Sequence, residues 1–290
     1  MTSPEQNWRK SLEMSAISPP PIREFDFRCA GIRVHAYAGG RGYPLLLLHG
    51  SGPGAGTASM WSKVLAPLVQ RYRVLAIDLI GFGRSGQKPR PPYFDVELWT
   101  RQAQAALDRL SGRGPVGVIG HSLSGYLALR LASRNPKIDK VMTTGAMGAR
   151  FRTNAAIELA WSMPKSEADL RRLYRQVSML PARATDPFVP DRFKLVNSPG
   201  YRDYFTAMFA GDKQLYIDRA TLTRAELKRI RAQVRLLHGA NDRPVPYAQA
   251  AVPLADAIPQ ADLVRLANCG HTPALDQPAK FLAYARGFFG

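Results

Sequence analysis

Six short apolar runs recur along the sequence and limit the fold more than any other feature does. Most of them are apolar at consecutive positions, end near a glycine or another turn residue, and are followed by enough residues for a helix. A continuous apolar run, unlike an alternating one, indicates a strand that is buried on both faces. We therefore predict an α/β fold in which helices flank a mostly parallel central sheet. The runs are YPLLLLHG (43–50), RYRVLAID (71–78), GPVGVIG (114–120), KIDKVMTTGA (137–146), QVRLLHGA (233–240) and ADLVRLAN (261–268).

The regular spacing of these runs is broken once, between residues 146 and 233. This interval contains short helical patterns, prolines and aromatic residues, and a structureless loop of that length would be unusual in a compact domain. We therefore predict that a helical cap is inserted into the α/β core. The predicted organisation is an N-terminal lead at 1–24, a core formed by 25–147 and 221–290, and a helical cap at 148–220, called the cap segment below.

The composition excludes several classes of protein. No apolar run approaches the roughly 20 residues that a membrane-spanning helix needs, and Cys29 and Cys269 are too few for a disulfide framework. We therefore expect a cytoplasmic protein with free thiols and no membrane partner. The net charge of +18 attracts anions in general, but the basic residues are scattered and accompany no recognised nucleic-acid-binding module. We expect a small-molecule substrate and no nucleic acid, and the sequence leaves open whether the chain forms a homo-oligomer.

Residues 116–131, VGVIGHSLSGYLALRL, contain the candidate nucleophile. A buried strand ends there and a helical pattern begins, and a serine on such a sharp turn is pushed out above the sheet. The turn brings strand and helix so close that the residues two before and two after the nucleophile must be small. If Ser122 is the nucleophile, these positions are Gly120 and Ser124. If Ser124 were the nucleophile, one of them would be Tyr126, which is too large. Ser122 is therefore the candidate, and its alternative role is that of an ordinary helix-capping serine.

A serine hydroxyl is a poor nucleophile until a histidine accepts its proton and a carboxylate orients that histidine. Of the five histidines, His271 follows the last apolar run, in the turn sequence ANCGHTPALDQP. Asp242 directly follows the run QVRLLHGA, so its side chain is expected at the same sheet edge. The order Ser122, Asp242, His271 along the chain is the order expected for this architecture. We therefore predict that these three residues form a catalytic triad.

Chemistry of this kind also needs two N–H donors that bind the developing oxyanion. Leu123 offers one, because it begins a helix whose first N–H groups have no partner inside the helix. The second is expected from the loop HGSGPG at 49–54, where Ser51 and Gly52 are alternatives. We place Ser51 with Leu123 in the oxyanion hole and Gly52 among the substrate-binding residues.

Together, the segments HGSGPG, DLIGFGRSG, GHSLSG, HGANDRPVP and CGHTP resemble the α/β-hydrolase superfamily over nearly the whole chain. HGSGPGAG at 49–56 more narrowly resembles the hydrolases that cleave a carbon–carbon bond in meta-ring-fission products of aromatic degradation. The resemblance implies an enzyme without a metal or organic cofactor, in which the cap supplies an arginine to the carboxylate of the substrate. Arg192 fits that role, because Thr185-Asp186 followed by Val189 and Arg192 is similar to the corresponding segment of that family. The alternative is that Arg192 is an ordinary arginine on the surface of the cap.

Three positions differ from the pattern of those carbon–carbon hydrolases, and they lie where the family shapes its dienoate pocket. The family usually has asparagine before the nucleophile and before the pocket aromatic, where this chain has His121 and Met60. It usually has tryptophan after the catalytic histidine, where this chain has Thr272. Two activities therefore stay open. One is carbon–carbon bond hydrolysis, with Trp61 and Arg192 contacting the substrate, and the other is carboxylester hydrolysis through an acyl-enzyme.

Two glycine-rich segments could be mistaken for nucleotide-binding loops. GFGRSG at 81–86 has the glycine spacing of a dinucleotide fingerprint, but the proline-rich QKPRPPYF follows it where a helix should begin. HGSGPGAGT lacks the lysine of a phosphate-binding loop. We therefore expect no nucleotide cofactor.

Overall fold

The centre of the computed structural model, which describes residues 21–110, 112, 114–180 and 189–290, is a sheet of eight strands. The strands are β1 (Arg23–Cys29), β2 (Ile32–Gly39), β3 (Pro44–Leu48), β4 (Arg73–Ile77), β5 (Val116–His121), β6 (Ile138–Thr144), β7 (Gln233–Gly239) and β8 (Ala261–Leu266). They lie in the order β1-β2-β4-β3-β5-β6-β7-β8 across the sheet. β2 pairs antiparallel with β1 and with β4, and every other pair of neighbours is parallel. This arrangement confirms the predicted α/β class.

Helices connect most of the strands and cover both faces of the sheet. They are α1 (Thr57–Met60), α2 (Leu65–Val69), α3 (Val96–Leu110), α4 (Leu123–Ala132), α5 (Ala155–Ala160), α6 (Glu167–Val177), α7 (Val189–Val196), α8 (Tyr201–Met208), α9 (Gln214–Arg219), α10 (Arg224–Lys228), α11 (Tyr247–Ala257), α12 (Pro273–Asp276) and α13 (Pro278–Phe289). Within the described part of the chain, none of these helices has the length and apolar character needed to cross a membrane.

Strand β3 explains why the apolar runs are continuous. All four leucines from Leu45 to Leu48 are fully buried. Because side chains alternate across a strand, Leu46 and Leu48 pack into one apolar core together with α3, α4 and α11. Leu45 and Leu47 pack into a second core, on the other face, together with α2 and α13. Each position of the run therefore has to be apolar.

The first strand begins inside the predicted N-terminal lead. Arg23 pairs with Ala38 and Glu24 pairs with Tyr37, so the sheet starts at residue 23 and not after residue 24. The alternating sequence REFDFRC supplies this strand, with one face turned toward the core. Residues 1–20 of the predicted lead lie outside the described residues.

The interval between β6 and β7 contains helices α5 to α10. The two predicted ends of the cap segment lie side by side, because the N–H of Leu222 donates to the carbonyl oxygen of Gly148 at 2.8 Å. Leu170, Leu173 and Val189 form a small apolar cluster that is separate from the two cores on the sheet. These contacts are compatible with an inserted cap, and the boundaries 148–220 stay a prediction.

Candidate active site

The loops at the carboxyl ends of the parallel strands carry the three residues predicted as a triad. Ser122 follows β5, Asp242 follows β7 and His271 follows β8. In parallel sheets these loops converge at one edge, where ligands usually bind. Nε2 of His271 lies 3.0 Å from Oγ of Ser122, and Nδ1 of His271 lies 2.8 Å from Oδ2 of Asp242. The structure therefore brings the three side chains within hydrogen-bonding distance, in an arrangement that allows proton transfer from a serine.

The backbone at Ser122 adopts a conformation that serine rarely takes, with φ at 56° and ψ at −120°. Such a conformation costs on the order of 1–3 kcal/mol and persists only where the surroundings enforce it. A Cβ atom at Gly120 would lie 2.1 Å from the carbonyl oxygen of Ser124, and one at Gly125 would lie 2.5 Å from Cβ of Ala146. The close packing of β5, α4 and the following strand end therefore explains why small residues surround Ser122.

Ser124 has a different environment from that of Ser122. It is fully buried, and its hydroxyl donates to the carbonyl oxygen of His49. Ser122 lines the cavity that also contains His271, whereas Ser124 does not. Of the two serines, Ser122 is the one that a substrate in this cavity could reach.

The carboxylate of Asp242 is buried and is supplied with three donors. Oδ2 faces both His271 and Nε2 of His238, the latter at 3.1 Å, and Oδ1 accepts from the N–H of Val245 at 2.9 Å. Burial by itself acts to raise the pKa of Asp242. The charge of His271 and the hydrogen bonds from His238 and His271 outweigh burial and hold that pKa well below its ordinary value. Asp242 is therefore an anion at neutral pH and can stabilise an imidazolium at His271.

The sequence did not identify His238 as part of this site. Nε2 of His238 lies 2.8 Å from the carbonyl oxygen of Val245, which can only accept, so this nitrogen carries a proton. The same nitrogen lies 3.1 Å from Oδ2 of Asp242. The sequence gives only a weak signal for this contact. His238 and Asp242 are four residues apart, but a strand end and a turn lie between them, and this local structure does not in general bring such residues into contact.

His121 is a second histidine beside the predicted triad. Its ring centroid lies 4.7 Å from that of His271, and Nδ1 lies 3.0 Å from both the carbonyl oxygen and Oγ1 of Thr144. Burial, followed by the neighbouring His271, lowers the pKa of His121 well below its ordinary value. His121 is therefore neutral, and with its Nδ1–H donated to the Thr144 carbonyl its Nε2 is a hydrogen-bond acceptor. It lines the cavity next to Ser122.

The two N–H groups predicted to form the oxyanion hole belong to Ser51 and Leu123. Within the described residues, no backbone acceptor is paired with either N–H. The loop that carries Ser51 is held by His49, whose Nδ1–H donates to the Gly50 carbonyl while Nε2 accepts from the N–H of Leu79. Both Ser51 and the residue before Leu123 line the cavity. The role of these two donors stays a prediction.

The predicted triad opens into a cavity of about 110 Å³. Its walls come from the loop after β3, from the turn at Ser122, from the His271 loop and from α5, α6 and α7 of the cap segment. A larger open groove of about 690 Å³ lies between α5 and α6, but it contains no triad residue. Among the described residues, no group of three or more His, Cys, Asp or Glu side chains is arranged to hold a metal ion.

Gly52 and Arg192, both predicted to bind substrate, line this cavity. Nη1 of Arg192 donates to the carbonyl oxygen of Gly54 at 2.6 Å, so the guanidinium joins α7 to the loop after β3. Thr185 and Asp186, which contributed to the prediction for Arg192, lie outside the described residues.

The structure corrects the prediction for Trp61. Its side chain is fully buried in the core that includes α13, with its ring centroid 6.0 Å from that of Phe281. Met60 lines the cavity in its place. Because successive residues of a helix point about 100° apart, two neighbours at the end of α1 face different surroundings. Of these two adjacent residues, Met60 and not Trp61 lines the cavity.

Comparison with known proteins shows similarity over most of the chain. Residues 45–284 match the profile of the alpha/beta hydrolase family. The chain is 30% identical over 260 residues to 2-hydroxymuconate semialdehyde hydrolase of Pseudomonas sp. strain CF600. This match covers 89% of this chain and 91% of that protein. It is 28% identical over 259 residues to 2-hydroxy-6-oxo-2,4-heptadienoate hydrolase of Pseudomonas putida. This match covers 89% of this chain and 93% of that protein. The solved structure of 2-hydroxy-6-oxo-6-phenylhexa-2,4-dienoate hydrolase from Rhodococcus sp. strain RHA1 is similar with a TM-score of 0.84 and 27% identity, covering 92% of this chain and 98% of that one.

Proposed function

The chain belongs to the alpha/beta hydrolase family, and on this premise we propose that it hydrolyses a carbon–carbon bond in a meta-ring-fission product of the 2-hydroxy-6-oxo-dienoate type. The enzyme is a hydrolase with a Ser-Asp-His triad, and we assign the triad to Ser122, Asp242 and His271. The relatives named above are hydrolases of 2-hydroxymuconate semialdehyde and of two 2-hydroxy-6-oxo-dienoates. Substrates of this type carry a carboxylate at one end and a ketone or aldehyde carbonyl at the other.

The observation that supports this proposal most strongly is the presence of Arg192 in the same cavity as Ser122 and His271. A carboxylate inside a cavity is costly unless a charged partner is present, and the planar guanidinium fork can engage both of its oxygens. One N–H of Arg192 is used by the Gly54 carbonyl, and a guanidinium has five. Arg192 can therefore hold Gly54 and a substrate carboxylate at the same time.

The proposed reaction begins with a proton shift in the substrate. The enol hydroxyl at C2 loses its proton and C5 gains one, which converts the dienol into a 2,6-dioxo form without net change in atoms. His271 moves this proton, since its imidazole is held by Asp242 in one orientation and can act as acid and as base. The shift makes C5 part of a group that can later leave as a stabilised carbanion.

Hydrolysis follows at the C6 carbonyl. Water, or the hydroxyl of Ser122, adds to C6 while His271 takes its proton, and the N–H groups of Ser51 and Leu123 bind the oxyanion. The C5–C6 bond then breaks, and its electron pair passes through the conjugated chain to the oxygen at C2. The oxygen at C2 takes back the proton from His271, which gives a 2-hydroxy-2,4-dienoate. With water as the nucleophile the other product is a carboxylic acid; with Ser122 it is an ester on Oγ, which a water then hydrolyses to that acid with His271 as base. In both cases the sum is the addition of one water.

A carboxylesterase acting through an acyl-enzyme on Ser122 is the second candidate. The observation that favours it is the lining of the cavity by His121, Met60 and Thr272, where the carbon–carbon hydrolases usually have two asparagines and a tryptophan. His121 offers an acceptor, whereas an asparagine amide also offers donors. The two candidates share the triad and differ in what else the cavity recognises.

Parallel kinetics on both substrate classes test the proposal. We expect the protein to cleave 2-hydroxy-6-oxo-dienoates with a kcat/KM of about 10⁴ M⁻¹ s⁻¹ or more, which is typical of enzymes acting on their natural substrates. The reaction can be monitored by the loss of the dienolate absorbance. We expect 4-nitrophenyl acetate to be a poorer substrate. Efficient cleavage of esters with no cleavage of any dienoate would favour the esterase instead.

A matched pair of serine variants tests the assigned nucleophile. Ser122→Ala should lower turnover by several orders of magnitude, since the members of a triad act as a unit. Ser124→Ala, which removes the neighbouring hydroxyl bound to His49, should keep most of the activity. An organophosphonate adduct mapped by mass spectrometry is expected on Ser122, and an adduct on Ser124 would refute the assignment.

A further inference from the structure

A buried carboxylate outside the triad connects the catalytic histidine with the cap segment. Asp276 is the last residue of α12, the short helix directly after His271, and its side chain is buried. Both oxygens accept hydrogen bonds, so the charge is compensated although water has little access to it. The four donors are the hydroxyl of Ser178 at 2.5 Å and that of Thr272 at 3.3 Å on Oδ1, and the N–H of Gly270 at 2.8 Å and that of Met179 at 3.1 Å on Oδ2.

These donors come from two distant parts of the chain. Gly270 and Thr272 are the residues on either side of His271. Ser178 and Met179 directly follow Val177, the last residue of α6 in the cap segment. The carboxylate of Asp276 therefore binds the histidine loop and the end of α6 at once, across 98 residues of sequence.

The histidine loop and the end of α6 also touch each other directly. The N–H of His271 donates to the carbonyl oxygen of Val177 at 2.9 Å. A Cβ atom on Gly270 would lie 2.9 Å from that same oxygen, so the loop approaches α6 as closely as a glycine permits. Val177 also lines the catalytic cavity. The backbone of His271 is thus anchored on a residue of the cap segment that faces the substrate site.

We propose that Asp276 is a positioning residue, which clamps the end of α6 onto the His271 loop and so holds the imidazole at Ser122. This inference rests on the assigned role of His271 in the proposed function, but it does not depend on which bond the enzyme cleaves. A general base works only within hydrogen-bonding reach, and a displacement of about 1 Å can cost about a hundredfold in rate. Asp276 acts on catalysis through the position of His271 and does not itself touch substrate.

Two variants test this role, with a third as the matched control. Asp276→Asn replaces an acceptor by a donor that faces hydroxyl and N–H groups, and Ser178→Ala removes one donor from the cap segment while the carboxylate remains. The control is Asp95→Asn. Asp95 also accepts a hydrogen bond from a backbone N–H, that of Leu98 at 2.9 Å, but it does not line the catalytic cavity. For each variant we would measure Tm, kcat and KM on 4-nitrophenyl acetate, and the rate of phosphonate labelling at Ser122.

We expect Asp276→Asn to lower kcat about 10- to 100-fold with little change in KM, and to slow phosphonate labelling by a similar factor. Ser178→Ala should lower kcat about three- to tenfold and fold normally. Asp95→Asn should lower Tm but leave kcat within about twofold of the wild-type value. If kcat falls in Asp276→Asn and Ser178→Ala but not in Asp95→Asn, the loss is due to the position of His271 and not to a general loss of stability.

The opposite results would overturn the proposal. If Ser178→Ala and Asp276→Asn kept kcat within about twofold, or lost no more than Asp95→Asn at the same decrease in Tm, Asp276 would be a structural residue only. If Asp276→Asn failed to fold, full activity of Ser178→Ala would be sufficient to overturn it. Failure of the wild-type protein to cleave any dienoate would refute the proposed function instead, and the ester and labelling comparison would still decide the role of Asp276.

Discussion

Nε2 of His238 lies 3.1 Å from Oδ2 of Asp242, the same oxygen that His271 contacts at 2.8 Å. The carboxylate of Asp242, the proposed acid of the triad, therefore lies between two imidazoles, with the N–H of Val245 on its other oxygen. A buried carboxylate with fixed donors on both oxygens has one preferred orientation. His238 contributes to the orientation of His271 by fixing the residue that orients it.

Removal of the His238 donor should weaken both the fold and catalysis. We expect His238→Phe to lower the free energy of unfolding by about 1.5–3 kcal/mol, the contribution of a hydrogen bond to a charged group, and kcat by about tenfold. His238→Gln keeps an N–H donor and should lose less than half as much on either measure. Urea denaturation and ester kinetics would check this, and equal losses in the two variants would contradict it.

Arg192 should distinguish anionic from neutral substrates. We expect Arg192→Gln to lower kcat/KM for a dienoate about 30-fold, because the variant loses a charge-assisted contact with the substrate. This factor corresponds to about 2 kcal/mol of lost transition-state stabilisation. A small neutral ester should be affected by less than about threefold. Lys194→Gln is the matched control, since it removes a positive charge from the exposed side of the same helix and should affect neither substrate. Equal losses on both substrates in Arg192→Gln would mean that its contact with Gly54 is the important one.

The lowered pKa of Asp242 makes part of the stability of the fold depend on pH. A carboxyl group with a lower pKa in the folded state than in the unfolded state stabilises the fold above its unfolded pKa, about 3.9 for aspartate. That contribution is lost as the pH falls below this value toward the folded pKa. We expect the difference in unfolding free energy between wild type and Asp242→Asn to be constant from about pH 7 to 5 and to shrink below about pH 4. Urea denaturation across this range would measure it, and a difference that does not change with pH would contradict the assignment.

Cys269 should be unreactive in the native protein although it lies two residues before His271. Burial, followed by the charges of Asp276 and Asp242, raises the pKa of its thiol to about 12. The thiolate is the reactive form, so we expect iodoacetamide at pH 8 to modify Cys269 only after denaturation. Cys29, which is partly exposed, should be modified faster in the native protein. Mass spectrometry of the alkylated peptides would decide, and equal rates at the two cysteines would contradict the prediction.

The sequence by itself determined the class of fold and the segments that meet at the site. Continuous apolar runs are possible only in strands covered on both faces, and the four buried leucines from Leu45 to Leu48 have that environment. The small residues around Ser122 reflect a steric limit of a turn, which is local in sequence and can therefore be recognised without a structure. The positions of Asp242 and His271 after apolar runs followed from the same strand pattern.

Only the tertiary structure decided which side chains complete the site. A motif places Met60 and Trp61 in one segment, but the packing of α1 on the core turned Trp61 toward Phe281 and left Met60 in the cavity. The contact between Ser178 and Asp276 joins residues that are 98 apart in the chain, and no local pattern specifies it. Periodicity and turn chemistry act over a few neighbouring residues, whereas the side of a helix that faces a cavity, and the partner that a buried carboxylate finds, depend on how whole elements pack together.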